Sequence, residues 1–191
     1  DAFLHYLDLG PQFSSLNKFT KETLHGKQSV ADLLYFRSEK DIPKEGKIDE
    51  IISASQPILV QVAKEPISSK GPRLSSEITL AGRYLVLVPF SDKISISQKI
   101  KSSTERQRLK RLAMSIKPRN FGIIVRTVAE GKKVADLDAD IQDLCSRWQA
   151  MHEQLKTALA PVKILGEMNR TSTILRDLLN PNFNSIQVND A

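Results

Sequence analysis

Arg126 and Thr127 stand side by side after Phe121-Gly122-Ile123-Ile124-Val125, a β-rich run that reads as a strand. A guanidinium can grip a phosphate or carboxylate with two parallel N–H bonds, and a neighbouring hydroxyl adds a further donor. An arginine at a strand end is more often a plain surface residue, so spacing alone leaves both readings open. Asp136, Asp138, Asp140 and Asp143 form an acidic cluster. On a helix Asp136 and Asp138 point about 200° apart, which disfavours a shared metal ion. Acids near a helix N-terminus are favoured by the dipole in any case, so the cluster reads as structural. Cys145 falls beside the apolar Leu144 and Trp148 and reads as a packed thiol. His5, His25 and His152 lie in no nucleophile motif, and His152 reads as a partly exposed helix residue. Glu130-Gly131-Lys132-Lys133 is too short for a P-loop. These residues assemble neither a catalytic site nor a metal site.

The elements that must position Arg126 and Thr127 follow from periodicity. Ile58–Lys64 and Leu74–Leu80 read as strands, with Ser68-Ser69-Lys70-Gly71-Pro72 as a junction between two units. Tyr84–Pro89 is a continuous apolar run, as expected of a central strand, and Gly82 offers a bend or close backbone approach ahead of it. Leu109, Leu112, Ala113 and Ile116 recur at helical spacing behind a cap at Ser103 or Thr104, and Pro118 ends that helix. Val134, Leu137, Ile141, Leu144, Trp148, Met151, Leu155 and Leu159 predict one long amphipathic helix of about 26 residues. Val162–Leu165 and the stretch from Ser185 read as short strands, and Thr171–Leu179 as a helix. Residues 1–55 read as loop and short-helix material outside the core, with one helical stretch at Ser29–Phe36.

Charge is unevenly spread. Lys93–Lys133 holds 12 basic residues against Glu105 and Glu130, a net +10, while the rest of the 191 residues carries −4. Such a concentration suits a polyanionic partner bound through phosphate contacts, or else a well-solvated face. A hydrophobic content of 40% and a charged content of 26% fit a soluble globular chain. No apolar run nears the roughly 20 residues a membrane helix needs. The opening Asp1–Tyr6 lacks a signal-peptide pattern, and without an initiator Met it suggests a processed chain or fragment. A single cysteine excludes an internal disulfide framework and a cysteine-built zinc site, and fits a cytoplasmic setting.

Several stretches together resemble the ribonuclease E/G family of bacterial endoribonucleases. They are Ile58–Glu65, Lys70–Ser75, Leu80–Pro89, Ile96–Ile100 and Gly122–Thr127, in matching order over about residues 55–180. The resemblance implies an α+β chain: a partial OB-fold RNA-binding domain with an insertion (1–72), a 5′-sensor domain (73–171), and the start of an RNase-H-like subdomain (172–191). It implies that Arg126 and Thr127, with Gly82 and Val86 shaping the pocket, bind the 5′-monophosphate of single-stranded RNA. Phe3, Lys70 and Lys99 are the further RNA-binding candidates. The family's metal-dependent catalytic carboxylates and its zinc link between protomers belong to sequence that does not match here. Magnesium, structural zinc and homo-oligomer formation are thus expected of a longer protein, and this stretch is expected to be catalytically silent. A stand-alone OB-type RNA-binding or ribosome-associated protein is the alternative, and a docking module built on the long helix is a third reading.

Overall fold

The computed structural model describes residues 2–166, 170–179, 182–187 and 189. Its elements in chain order are α1 (Phe13–Leu24), β1 (Gln61–Lys64), β2 (Arg73–Ser75), β3 (Leu80–Ala81) and β4 (Leu85–Pro89). They continue with β5 (Ile94–Ile96), α2 (Ser103–Ile116), β6 (Phe121–Val125), α3 (Val134–Lys156) and α4 (Arg170–Leu178). The α+β class holds. β1 and β2 form a two-stranded antiparallel sheet, and no closed barrel exists among the described residues. The partial OB barrel expected for residues 1–72 is reduced there to this ribbon, with Phe3 bridging to Arg73 at its edge.

The larger sheet has the order β3-β4-β6-β5. β4 runs antiparallel to both β3 and β6, while β5 lies parallel to β6 with α2 as the crossover between them. Alternation on β4 turns Leu85, Leu87 and Pro89 inward. α2 packs on β5 and β6, and α3 on β3 and β4. Ser102 caps α2, its hydroxyl accepting from Glu105 N at 3.2 Å, one residue before the expected cap. α3 spans 23 residues and stops short of Leu159, which lies exposed.

Residues 1–55 are part of the core, contrary to expectation. α1 packs against α3, and Phe19, fully buried, meets Phe36, Phe90, Trp148 and His152 at ring separations of 5.3–5.9 Å. The stripe that does this, Phe13, Leu16 and Phe19 with Thr20 and Thr23, is diluted by hydroxyl residues, which hides its helical period. Ser29–Phe36 is irregular instead of helical. It is pinned by Trp148 Nε1–H to Ala31 O (2.8 Å) and by Asn120 Nδ2–H to Leu33 O and Phe36 O. His152 is buried rather than partly exposed, with Nε2 3.1 Å from Gln28 O. Three expected strands differ as well. Leu74–Leu80 breaks into β2 and β3, Val162–Leu165 is irregular, and 185–187 form no strand, Val188 lying outside the described residues.

This packing makes residues 10–55 inseparable from the sheet. Phe19→Ala should lower stability by about 3–5 kcal/mol, as aromatic truncations in cores do. Urea unfolding followed by tryptophan fluorescence measures it; a loss under about 1 kcal/mol would mean that α1 is an appendage.

Candidate phosphate clamp

The site is built around the loop that turns β3 into β4. Asp140, in the second turn of α3, accepts the backbone N–H groups of Arg83 (2.9 Å), Tyr84 (2.9 Å) and Leu85 (2.8 Å), while Gly82 N–H bonds Leu85 O. With the N–H groups held on one side, the carbonyls of Gly82 and Arg83 are free to accept from Arg126 Nη1, at 2.6 and 3.2 Å. The backbone of Arg126 joins the same loop through its N–H to Tyr84 O (2.8 Å). One peptide turn thus meets a carboxylate with its donors and a guanidinium with its acceptors.

Gly82 and Val86 behave differently from one another here. A Cβ on Gly82 would fall 2.5 Å from Asp140 Oδ2 and 2.7 Å from Oδ1, so the glycine makes room for the carboxylate that holds the loop. Val86 is half-buried on the sheet face opposite Leu85 and Leu87, directly across from Ile124. Arg126 follows Ile124 by two residues. Thr127 opens a short 3₁₀ turn, and its hydroxyl sits 2.9 Å from the Ser97 hydroxyl. Sequence reasoning missed Asp140 and Ser97 as neighbours of the clamp. Neither has a local signal, because each reaches the site from another element.

The open end of the Arg126 fork meets Asp177 of α4: Nη1 to Oδ1 3.0 Å and Nη2 to Oδ2 2.9 Å. Arg176 Nε adds a third bond to Asp177 at 2.9 Å. The two guanidinium groups, Arg126 first, hold the Asp177 carboxyl far below the usual carboxylate range, and Asp177 raises Arg126 in turn. α4 is also moored by Arg176 Nη1 to Ala81 O (3.0 Å) and by Arg83 Nη2 to Leu179 O. The outer edge of the Arg126 guanidinium is thus paired with a planar, two-oxygen carboxylate.

The remaining candidates lie elsewhere. Phe3 is 59% exposed, and its backbone is hydrogen-bonded to Pro72 and Leu74. Lys70 is exposed in the turn that it closes with Ile67, and Lys99 is exposed two residues beyond Ser97. Of the basic segment, Arg106 donates to Ser97 O and Lys117 to Phe121 O, while Lys93, Lys101, Lys110, Arg111 and Arg119 are exposed. Among the described residues no group of three or more His, Cys, Asp or Glu could hold a metal ion. Asp140 and Asp136 serve the backbone instead, Asp136 accepting from Lys133 N at 3.0 Å. Burial pushes the Cys145 thiol up, consistent with packing.

The four-stranded sheet thus carries Arg126 and Thr127 directly after its interior strand β6. A sequence model described as the Ribonuclease E/G family matches residues 79–191, and the chain belongs to that family. It is 40% identical to "Ribonuclease E" of Nostoc sp. over 75% of this chain and 21% of that protein. It is 36% identical to "Ribonuclease G" of Escherichia coli K12 over 74% of this chain and 29% of that protein. To a "Ribonuclease E/G-like protein" of Pyropia yezoensis it is 34% identical over 85% of this chain and 33% of that one. The chain thus spans a fifth to a third of the length of these relatives. No helix among the described residues is long and apolar enough to cross a membrane.

Two measurements probe the frame. Asp140→Ala strands three backbone donors and should cost about 2–4 kcal/mol in a denaturant titration; a neutral substitution would show that the loop holds itself. Glu105, clamped by Arg108 and by Gly131 N–H, is lowered to about 2. A carboxyl depressed on folding stabilises fully above its unfolded value near 4.5 and loses that contribution as pH falls toward 2. Melting temperatures from pH 6 to 2.5 should therefore fall less for Glu105→Gln than for the parent, and parallel curves would contradict this.

Proposed function

We propose that this chain is the RNA-binding, 5′-monophosphate-sensing portion of a ribonuclease E/G-type endoribonuclease that acts in RNA processing and decay. The observation that carries the reading is the Arg126 fork, backed by the Gly82 and Arg83 carbonyls and closed by a two-oxygen anion. A 5′-phosphate presents the same pair of oxygens with more charge, about −1.5 to −2 at pH 7. A 5′-hydroxyl presents neither. Val86, across the sheet from Ile124, lies on the face of the terminal ribose and base in this reading.

Family membership supports RNA as the partner, and the relatives' names as ribonucleases support a nuclease context. Nothing in these matches favours the stand-alone binding protein. The exposed Phe3 ring supplies a stacking surface for a base, and Lys70 and Lys99 attract phosphates. The division at residues 72 and 171, assembly into homo-oligomers, a cytoplasmic location, and magnesium and structural zinc in a longer protein belong to the same proposal. The described residues offer no ligand set for either metal. Here the chain's part is to hold an RNA end.

Two otherwise identical short RNAs, with and without a 5′-phosphate, should differ about tenfold in affinity, from one or two charge-assisted bonds. Arg126→Lys keeps the charge but loses the planar fork and should erase most of the difference. Thr127→Val should reduce it more mildly. Equal binding of the two RNAs by folded wild-type protein would sink the sensor reading. Affinity for both RNAs should also drop steeply with salt, because the exposed lysines and arginines of Lys93–Lys133 release counterions. A flat salt series would place the RNA elsewhere.

A further inference from the structure

The anion already in the Arg126 fork belongs to the protein itself. Asp177 comes from α4, 51 residues further along the chain, and meets Arg126 end-on with both oxygens, the approach a phosphate would take. The other direction of Nη1 is taken by the Gly82 and Arg83 carbonyls, so a phosphate and Asp177 compete for the same edge. We propose that the Asp177 carboxylate is a resident occupant of the phosphate seat, displaced only by an anion of higher charge, and that Asp177 thereby selects terminal phosphates. This rests on reading Arg126 as a phosphate clamp.

The surroundings make the displacement feasible. The Asp177 side chain keeps 30% exposure, so the carboxylate can turn toward water. Arg176 still holds it after it leaves Arg126, so no carboxylate is left bare. α4 keeps two moorings that do not involve Asp177, Arg176 to Ala81 O and Arg83 to Leu179 O. A monoester end carries nearly two charges against the single charge of Asp177 and wins the fork. An internal phosphodiester carries one charge, gains nothing over the resident carboxylate, and stays out. Asp177 is then a specificity residue: it prevents the clamp from seating on the phosphodiesters that outnumber the single 5′ end of any RNA. Because both guanidinium groups hold the carboxyl ionised, mild acid does not release the fork.

The test uses the 191-residue chain and three RNAs of one sequence, ending in 5′-phosphate, 5′-methyl phosphate (a singly charged diester) or 5′-hydroxyl. Wild type should bind the phosphate end best and the other two alike. In Asp177→Asn both phosphorylated ends should tighten about three- to tenfold relative to the hydroxyl end. Asp143→Asn, which removes an exposed charge on α3, controls for the change in net charge and should leave the ratios as in wild type. Asp177→Ser repeats the experiment should the amide disturb α4, and circular dichroism melts confirm folding of each variant. If wild type separates phosphate from hydroxyl but neither Asp177 variant separates them further, Asp177 only positions Arg126 and the proposal falls, while the sensor reading stands. Separation appearing only in the variants would mean that a terminal phosphate does not displace Asp177, and the proposal would fall together with the wild-type sensor reading. If no protein separates the ends, both fall together.

Discussion

The three hydrogen bonds from the backbone of residues 83–85 to Asp140 are the constraint on which the site depends. A buried turn must satisfy its donors, and here a side chain of α3 does so. That choice orients the peptide dipoles, leaving the carbonyls of Gly82 and Arg83 on the side where Arg126 emerges. It also forces a glycine at position 82, since any Cβ would collide with the carboxylate. The arginine is held on one edge by neutral oxygens and offers its other edge outward. Asp140 thus sets the place of Arg126 through the backbone of the loop, and its charge also favours the guanidinium.

Around that turn the protein alternates charge in layers. Asp140 lies behind the loop, Arg126 in front of it, and Asp177 beyond, with Arg176 and Arg83 binding α4 down onto the sheet edge. Each charged group has an opposite neighbour, which lowers the cost of withdrawing them partly from water. The outer pair meets water on both sides, with 27% of the Arg126 side chain and 30% of the Asp177 side chain exposed.

Rigidity behind the clamp comes from an unexpected source. The aromatic cluster of Phe19, Phe36, Phe90, Phe121 and Trp148 locks α3 against the sheet from the side away from the loop. Residues 10–55 supply two of those rings, together with the carbonyls that satisfy Trp148 and Asn120. α3 is in this way wedged between a packed aromatic layer at its middle and the Asp140 contacts near its start. The position of the clamp is inherited from that wedge.

The sequence by itself determined the elements with strong local period: the apolar run of β4, the strand before Arg126, and the three-four stripe of α3. It also singled out Arg126, Thr127, Gly82 and Val86, because motif order survives in one dimension. α1 stayed hidden, since serine and threonine dilute its stripe, and β5 stayed hidden at three residues. His152 looked like a surface residue because a helix face says nothing of what will cover it, and Gln28 and Phe19 arrive from over a hundred residues away. The purpose of Gly82 and the seat of Asp177 were decided only by tertiary structure. A steric exclusion and an ion pair each need two partners, and Asp140 and Asp177 lie 58 and 51 residues from theirs. Local propensity carries no information across such separations; packing of α3 and α4 on one sheet edge does.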